Sequence, residues 1–255
     1  MSSPIWTPAA LSSELTDYQG RCWRLVEAQH QISTLKLVDA LDEQSLLEEM
    51  IERSKPAIPS ECRHLNYLLA TPFRYGAAYP KGSRFRRAGR TLGVFYAAER
   101  PTTAVAEMAF HRLLFFAESP LTPWPSDAGE YTAFAAAVAA RSRLDLTMPP
   151  LDADRTAWVD PIRYEPCQDL ADAARAASAA VIRYESVRDP FAGANVAVLH
   201  CAAFAEPQPL ERQTWRMRLG PTGVQALCEF PLARLEFDRK AFAADPRIAE
   251  FDWRR

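Results

Sequence analysis

The chain lacks most of the features that assign a protein at sight. No stretch approaches the ~18 consecutive apolar residues of a membrane-spanning helix, so no membrane span is expected. The N-terminal MSSPIWTPAA has no basic segment followed by an apolar run, so no signal peptide is expected either. The cysteines Cys22, Cys62, Cys167, Cys201 and Cys228 are scattered and form no CxxC pair. That pattern reads as reduced thiols in a cytoplasmic protein, not as a disulfide framework or a zinc site. His30, His64, His111 and His200 show no HxxxH or HExxH spacing, which leaves a metal without its usual ligands. GxGxxG and GxxxxGK[ST] are absent, and with them the two common phosphate-binding helix starts. Without GxSxG or a cysteine-nucleophile signature, ordinary serine or cysteine hydrolase chemistry has no support. A net charge of −2 and a pI near 6.1 exclude the global polycation that sequence-independent nucleic-acid binding needs.

What is present is a 255-residue chain with 48% hydrophobic residues, enough for one large domain or two small ones. Strand and helix signals are interspersed without a regular βαβ period, and the expected class is α+β. A short helix is expected over Pro8 to Tyr18 and a first strand over Cys22 to Gln29, with Trp23 and Leu25 on one face and Arg24 on the other. Ser33 to Ser54 has Leu37, Leu41, Leu47 and Ile51 at mostly helical spacing, which predicts one or two amphipathic helices ended by Pro56 and Pro59. Further strands are expected over Thr91–Glu99, over EYTAFAAAVAARSRLDL, over VIRYESVRD and over Ala194–Phe204. Helices follow Pro101 and Pro166, and Thr214–Phe230 reads as a hairpin. The last 20 residues are charged and read as peripheral.

The unusual stretch is Thr71 to Arg112. Arg74, Arg84, Arg86, Arg87 and Arg90 are crowded into it, and Arg is the side chain best shaped for forked binding of phosphate oxygens. Pro72 and Pro80 place Arg74 and Tyr75 at a strand end or in a loop. The cluster runs into a strand carrying Tyr96, then into a helix carrying Glu107 among the small residues Thr103 and Ala104 and opposite a packing face of Val105, Met108, Ala109 and Leu113. Arginines beside an aromatic are what a pyrophosphate and a stacked ring would use. Taken alone, each of these residues also has an ordinary structural reading: a solvated loop for the arginines, a helix surface for Glu107, a turn for Ser186 and a strand-start amide for Asn195.

GSRFRRAG, GVFYAAERPTTAVAEMAFHR and IRYESVRDPFAGANVAVL, in that order, resemble the RES domain family. PFRY and WVDPIRYEPCQDLADAARAA resemble its longer branch. The resemblance implies a single domain similar to the ADP-ribosyltransferase toxin fold: a mixed central sheet, flanking helices and a helical N-terminal insertion. It implies an N-terminal extension over 1–20, an NAD+-binding catalytic domain over 21–235 with the insertion at about 33–55, and a C-terminal tail over 236–255. It also implies the toxin of a bacterial toxin-antitoxin pair, which breaks the nicotinamide–ribose bond of NAD+ as substrate, without a metal. On this reading Glu107, Ser186 and Arg84 are catalytic, and Arg74, Tyr75, Tyr96, Asn195 and Arg24 join them in binding. The expected partners are a cognate antitoxin and a protein acceptor of ADP-ribose, with phosphoribosyl pyrophosphate synthetase as a candidate target. No direct nucleic-acid or membrane partner is expected. Transfer to water or phosphate, which would deplete NAD+, is the alternative activity, and an inactive nucleotide- or antitoxin-binding module is the non-enzymatic alternative.

Overall fold

The computed structural model describes residues 6–28, 37–76 and 82–253. In chain order its elements are α1 (Pro8–Ser13), β1 (Thr16–Glu27), α2 (Leu41–Ser54), α3 (Tyr67–Arg74), β2 (Phe95–Ala98), α4 (Pro101–Glu118), β3 (Gly129–Asp145), α5 (Arg155–Trp158), α6 (Glu165–Ala176), β4 (Val181–Glu185), β5 (Ala194–Val198), β6 (Glu211–Gly220), β7 (Gly223–Cys228), β8 (Ala233–Asp238) and α7 (Pro246–Ala249). The class is α+β, as expected.

The organising strand is β3. Its alanines favour helix by intrinsic preference, yet it is extended because both of its edges find partners. β1 pairs along one edge, from Glu27↔Tyr131 to Thr16↔Arg143. Along the other, β6 pairs with residues Gly129 to Ala135 and β4 with Arg143 to Asp145. Because β1 also meets β2, and β2 connects through β5 to β4, the strands β1-β2-β5-β4-β3 close on themselves. The small side chains of Ala133 and Ala135 then let α4 lie against this surface, where Val105, Ala106, Ala109, Phe110 and Leu113 are buried with them. Burying Val105, Phe110 and Leu113 supplies ~1.5–3 kcal/mol each relative to exposure, which is why this face of the helix is apolar.

Three sequence expectations are corrected here. The C-terminal residues are not peripheral: Phe242, Ile248, Phe251 and Trp253 sit in the same core cluster as α4. Their apolar side chains are spaced between charged ones, so composition hid them. Arg74 and Tyr75 are not in a loop or strand but end a helix, with Asn66 as N-cap accepting from Leu68 N at 3.0 Å and Pro72 inside the short α3. Met108, expected on the packing face, packs half-buried against this core and also lines a cavity. Finally, not all cysteines are reduced: Cys62 and Cys201, 139 residues apart, form a disulfide, while Cys22, Cys167 and Cys228 are free and buried. The bridge arises because the short turns Ser60–Cys62 and Cys201–Ala203 pack together in one apolar cluster, a proximity that sequence spacing does not record.

Residues 41–54 of the expected insertion form α2, which buries no side chain; residues 33–36 of that expectation, together with His30 and Pro80, lie outside the described residues. Among the described residues no helix is long and apolar enough to cross a membrane.

Candidate active site

Helix α4 presents Ala104, Glu107, Met108 and His111 to one cavity, the 3.6-residue stripe expected of a single helix face. Ser186 Oγ donates to Glu107 Oε1 at 2.6 Å, and Asn195 Nδ2 donates to the same oxygen at 2.6 Å. Oε2 takes no hydrogen bond among the described residues, so one carboxylate oxygen is anchored and the other is available. The amide nitrogen of Asn195 must face the carboxylate, because its oxygen would repel it. Its Oδ1 is thereby left buried without a hydrogen-bond partner.

The sheet brings these groups together. Asn195 is the second residue of β5, paired with Ala98 of β2 and Tyr184 of β4. Ser186 follows β4 directly; its N donates to Gly193 O at 2.7 Å, and its Oγ accepts from Asp189 N at 3.0 Å and Arg188 N at 3.3 Å. With two bonds accepted and one donated, the hydroxyl is fully used and its proton is committed to Glu107. Thr103 Oγ1 donates to Asp189 Oδ2 at 2.7 Å, which ties the Ser186 turn to the first turn of α4.

Three guanidinium groups line the same cavity: Arg24, Arg84 and Arg188. Arg84 is 8% exposed, donates to the carbonyls of Trp158 at 2.7 Å and Asp160 at 2.9 Å, and lies over the Tyr164 ring at 4.8 Å. Arg24 donates to Tyr96 O at 2.7 Å and sits over the Phe95 ring at 5.4 Å. Burial lowers the Arg24 pKa, which a neighbouring Tyr96 opposes, but a guanidinium stays charged at any ordinary pH. Among the described residues neither Arg24 nor Arg84 has a carboxylate partner. Enclosed cations without counter-ions are costly, and an anionic ligand in this cavity would relieve that cost. Arg188 differs, because Asp245 neutralises it at 3.1 Å.

Tyr96 lines the cavity from β2, and its hydroxyl accepts from Phe85 N at 2.9 Å and lies 2.8 Å from Ser83 Oγ. Burial raises its pKa despite those two bonds, so the phenol stays protonated at neutral pH. His111 makes no hydrogen bond among the described residues. The enclosing protein lowers its imidazole pKa, Glu107 pulls it up, and Arg188, Arg247 and Arg24 push it further down.

The structure therefore brings together Glu107, Ser186, Asn195, Tyr96, Arg84 and Arg24. It does not bring Arg74 or Tyr75 to the cavity lining; Arg74 pairs with Glu52 of α2, and this contact, followed by Lys55, pulls the Glu52 carboxyl down to about 2. Two further arginines of the cluster hold the loop in place: Arg87 pairs with Asp169 and Asp172 of α6, and Arg86 donates to Gly76 O at 3.4 Å. The residues missed from sequence are Arg188, Tyr164 and Tyr184; His111, whose i,i+4 spacing from Glu107 reads as an ion pair or a surface position, also lines the cavity. Arg188 stands two residues after Ser186 in the same turn, which is the signal that marks it; the two tyrosines carry none of their own.

The cavity has a volume of about 380 Å³, within the ~300–1,000 Å³ of small-molecule sites. Among the described residues no group of three or more His, Cys, Asp or Glu side chains could hold a metal ion.

The RES domain family model matches residues 58–220. No curated protein matches the chain. Among solved structures, the M. tuberculosis MbcT–MbcA toxin–antitoxin complex covers 80% of this chain and 89% of its own, at 14% identity and a TM-score of 0.48.

Proposed function

The chain belongs to the RES domain family, and on that footing we propose that it is the toxin of a toxin-antitoxin pair that cleaves the nicotinamide–ribose bond of NAD+ and transfers ADP-ribose to a protein acceptor. One observation carries this reading. A carboxylate anchored through one oxygen, Glu107, shares a cavity with two guanidiniums that have no carboxylate partner among the described residues, Arg24 and Arg84. NAD+ has the complementary charges: two phosphates and a cationic nicotinamide.

The chemistry follows from that match. Nicotinamide leaves as a neutral molecule from a cationic precursor, so bond breaking needs little acid help. It needs stabilisation of the oxocarbenium-like ribose, which a fixed carboxylate supplies. Glu107 would face that ribose through Oε2, while Ser186 and Asn195 keep the carboxylate from rotating. Arg84 and Arg24 would take the pyrophosphate, and the Tyr96 wall the ring system. The protein acceptor is favoured by α2, an exposed helix whose Leu46 and Met50 are uncovered; phosphoribosyl pyrophosphate synthetase is the target that the family resemblance offers. The antitoxin partner belongs to the same reading.

Purified protein incubated with labelled NAD+, with and without phosphate and with and without cell lysate, tests it. Nicotinamide release with label on a lysate protein is the expected result. Free ADP-ribose, or its 1-phosphate, would move the activity to NAD+ depletion. Absence of any NAD+ loss would overturn the enzymatic reading.

A further inference from the structure

The C-terminal segment holds one ion pair that the proposed chemistry does not use. Asp245, the N-cap of α7, accepts from Arg247 N at 3.0 Å and pairs with Arg247 at 2.7 Å. It also reaches into the protein to Arg188, at 3.1 Å, with side-chain exposures of 0% and 6%. The Arg188 guanidinium lies over the Phe110 ring of α4 at 3.8 Å and donates to Pro161 O at 2.5 Å, so it is clamped from three sides. Its backbone N is one of the two that hold Ser186 Oγ, and that hydroxyl donates to Glu107. A continuous set of short contacts thus runs from the C-terminal segment to the carboxylate, by Asp245, Arg188, Ser186 and Glu107.

We propose that Asp245 is a positioning residue for the active site: it fixes Arg188 in the cavity wall and thereby the Ser186 turn that orients Glu107. The physical reason is the cost of leaving one side of this pair alone. Removing one partner of a buried ion pair leaves an uncompensated charge. Without Asp245 the Arg188 cation would lose its counter-ion while still lining the cavity that Glu107 shares, and would be drawn toward that carboxylate. It would then compete with the hydrogen bonds from Ser186 and Asn195. The inference rests on the proposed NAD+ chemistry for its kinetic readout only.

The test compares Asp245→Asn, which keeps an N-cap side chain, with Arg247→Ala and Ile248→Val. Those two loosen the same segment but leave the Asp245–Arg188 pair intact. Asp245→Asn should lower kcat for NAD+ loss about tenfold or more at 25 °C in folded protein, with KM changed less, while the two controls stay within about twofold of wild type; tenfold corresponds to about 1.4 kcal/mol in the barrier. Asp245→Glu, retaining the charge one methylene further out, should recover part of that loss, and it serves if the Asn variant does not fold. A second readout does not depend on activity. In ¹⁵N NMR spectra the Arg188 Nε–H and the amides of Ser186, Arg188 and Asp189 should shift and lose exchange protection in Asp245→Asn but not in Arg247→Ala. An unchanged kcat, or unchanged resonances of the Ser186 turn, overturns the proposal. If wild-type protein consumes no NAD+, the chemistry fails and the NMR comparison alone decides whether Asp245 positions this turn.

Discussion

Ser186 Oγ donates to Glu107 Oε1 at 2.6 Å, joining residues 79 positions apart in sequence. The bond puts the hydroxyl in service of the carboxylate and not of a substrate, since both of its acceptor positions are taken by the backbone N–H groups of Arg188 and Asp189. Two variants should therefore separate. Glu107→Gln, which removes the charge, is expected to lower kcat for NAD+ loss on the order of 100-fold or more. Ser186→Ala, which leaves the carboxylate held by Asn195 alone, should lose about tenfold or more, as hydrogen bonds to charged groups are worth ~1.5–3 kcal/mol. Steady-state kinetics on folded variants checks both; full activity in Glu107→Gln would sink the catalytic assignment.

Arg24 and Arg84 face the cavity without carboxylate partners among the described residues, so their contribution should appear in binding. Arg24→Gln and Arg84→Lys are each expected to raise KM for NAD+ roughly tenfold or more, from lost charge-assisted hydrogen bonds, with smaller effects on kcat. Lys keeps the charge of Arg84 but cannot reach the Trp158 and Asp160 carbonyls together and still stack on Tyr164. Arg74→Gln is the comparison: it should weaken the tie to Glu52 in α2 and leave KM unchanged.

Asp245 gives a pH dependence with a definite sign. Burial pushes its pKa up, but hydrogen bonds from Arg247 and the charges of Arg188 and Arg247 outweigh this and hold it below the usual carboxylate value. A carboxylate depressed in the folded state contributes stability in full above its unfolded pKa of about 3.9, and that stability is lost as pH falls below this toward the folded pKa. The gap in Tm between wild type and Asp245→Asn should thus be widest above pH ~5 and shrink below pH ~4. Thermal unfolding across pH 3–7 measures it, and a gap that widens on acidification would contradict the pairing.

Gly193 is a packing constraint on the same turn. A Cβ there would lie 2.2 Å from Thr103 Oγ1 and 2.4 Å from Asp189 Oδ2, inside the hydrogen bond that ties the Ser186 turn to α4. Gly193→Ala is expected to destabilise by about 1–3 kcal/mol, the usual range for overpacking, and to lower activity with it. Urea unfolding with a parallel kinetic assay tests this; a variant of wild-type stability would show that Thr103 can step aside at no cost.

The cysteines are countable. Alkylation of the denatured protein without reductant should modify three thiols, Cys22, Cys167 and Cys228, and with reductant five. In the native state Cys22 should react far more slowly than an exposed thiol, because burial, with Glu99 nearby, pushes its pKa up to about 12. Intact-mass spectrometry gives the counts; five modified thiols without reductant would remove the bridge.

The local signals were legible in the sequence because they depend on neighbours within a turn or a strand. Pro101 starting a helix, its packing face of Val105, Met108, Ala109 and Leu113, the Gly220–Gly223 hairpin and the order of the Tyr96, Glu107 and Ser186 motifs are of that kind. Distance was not legible. Five arginines close in sequence suggested one phosphate site, yet folding sends Arg87 to α6 and Arg74 to α2 and leaves Arg84 to meet Arg24 from β1. The Cys62–Cys201 bridge and the Asp245–Arg188 pair join segments that no periodicity connects. The sequence alone determined which residue types could form the site, and it placed Tyr96 on a strand and Glu107 on a helix. The closed circuit of strands through β3 decided which of them face one another, because the surroundings of a charge are set by what the sheet brings to it across the core.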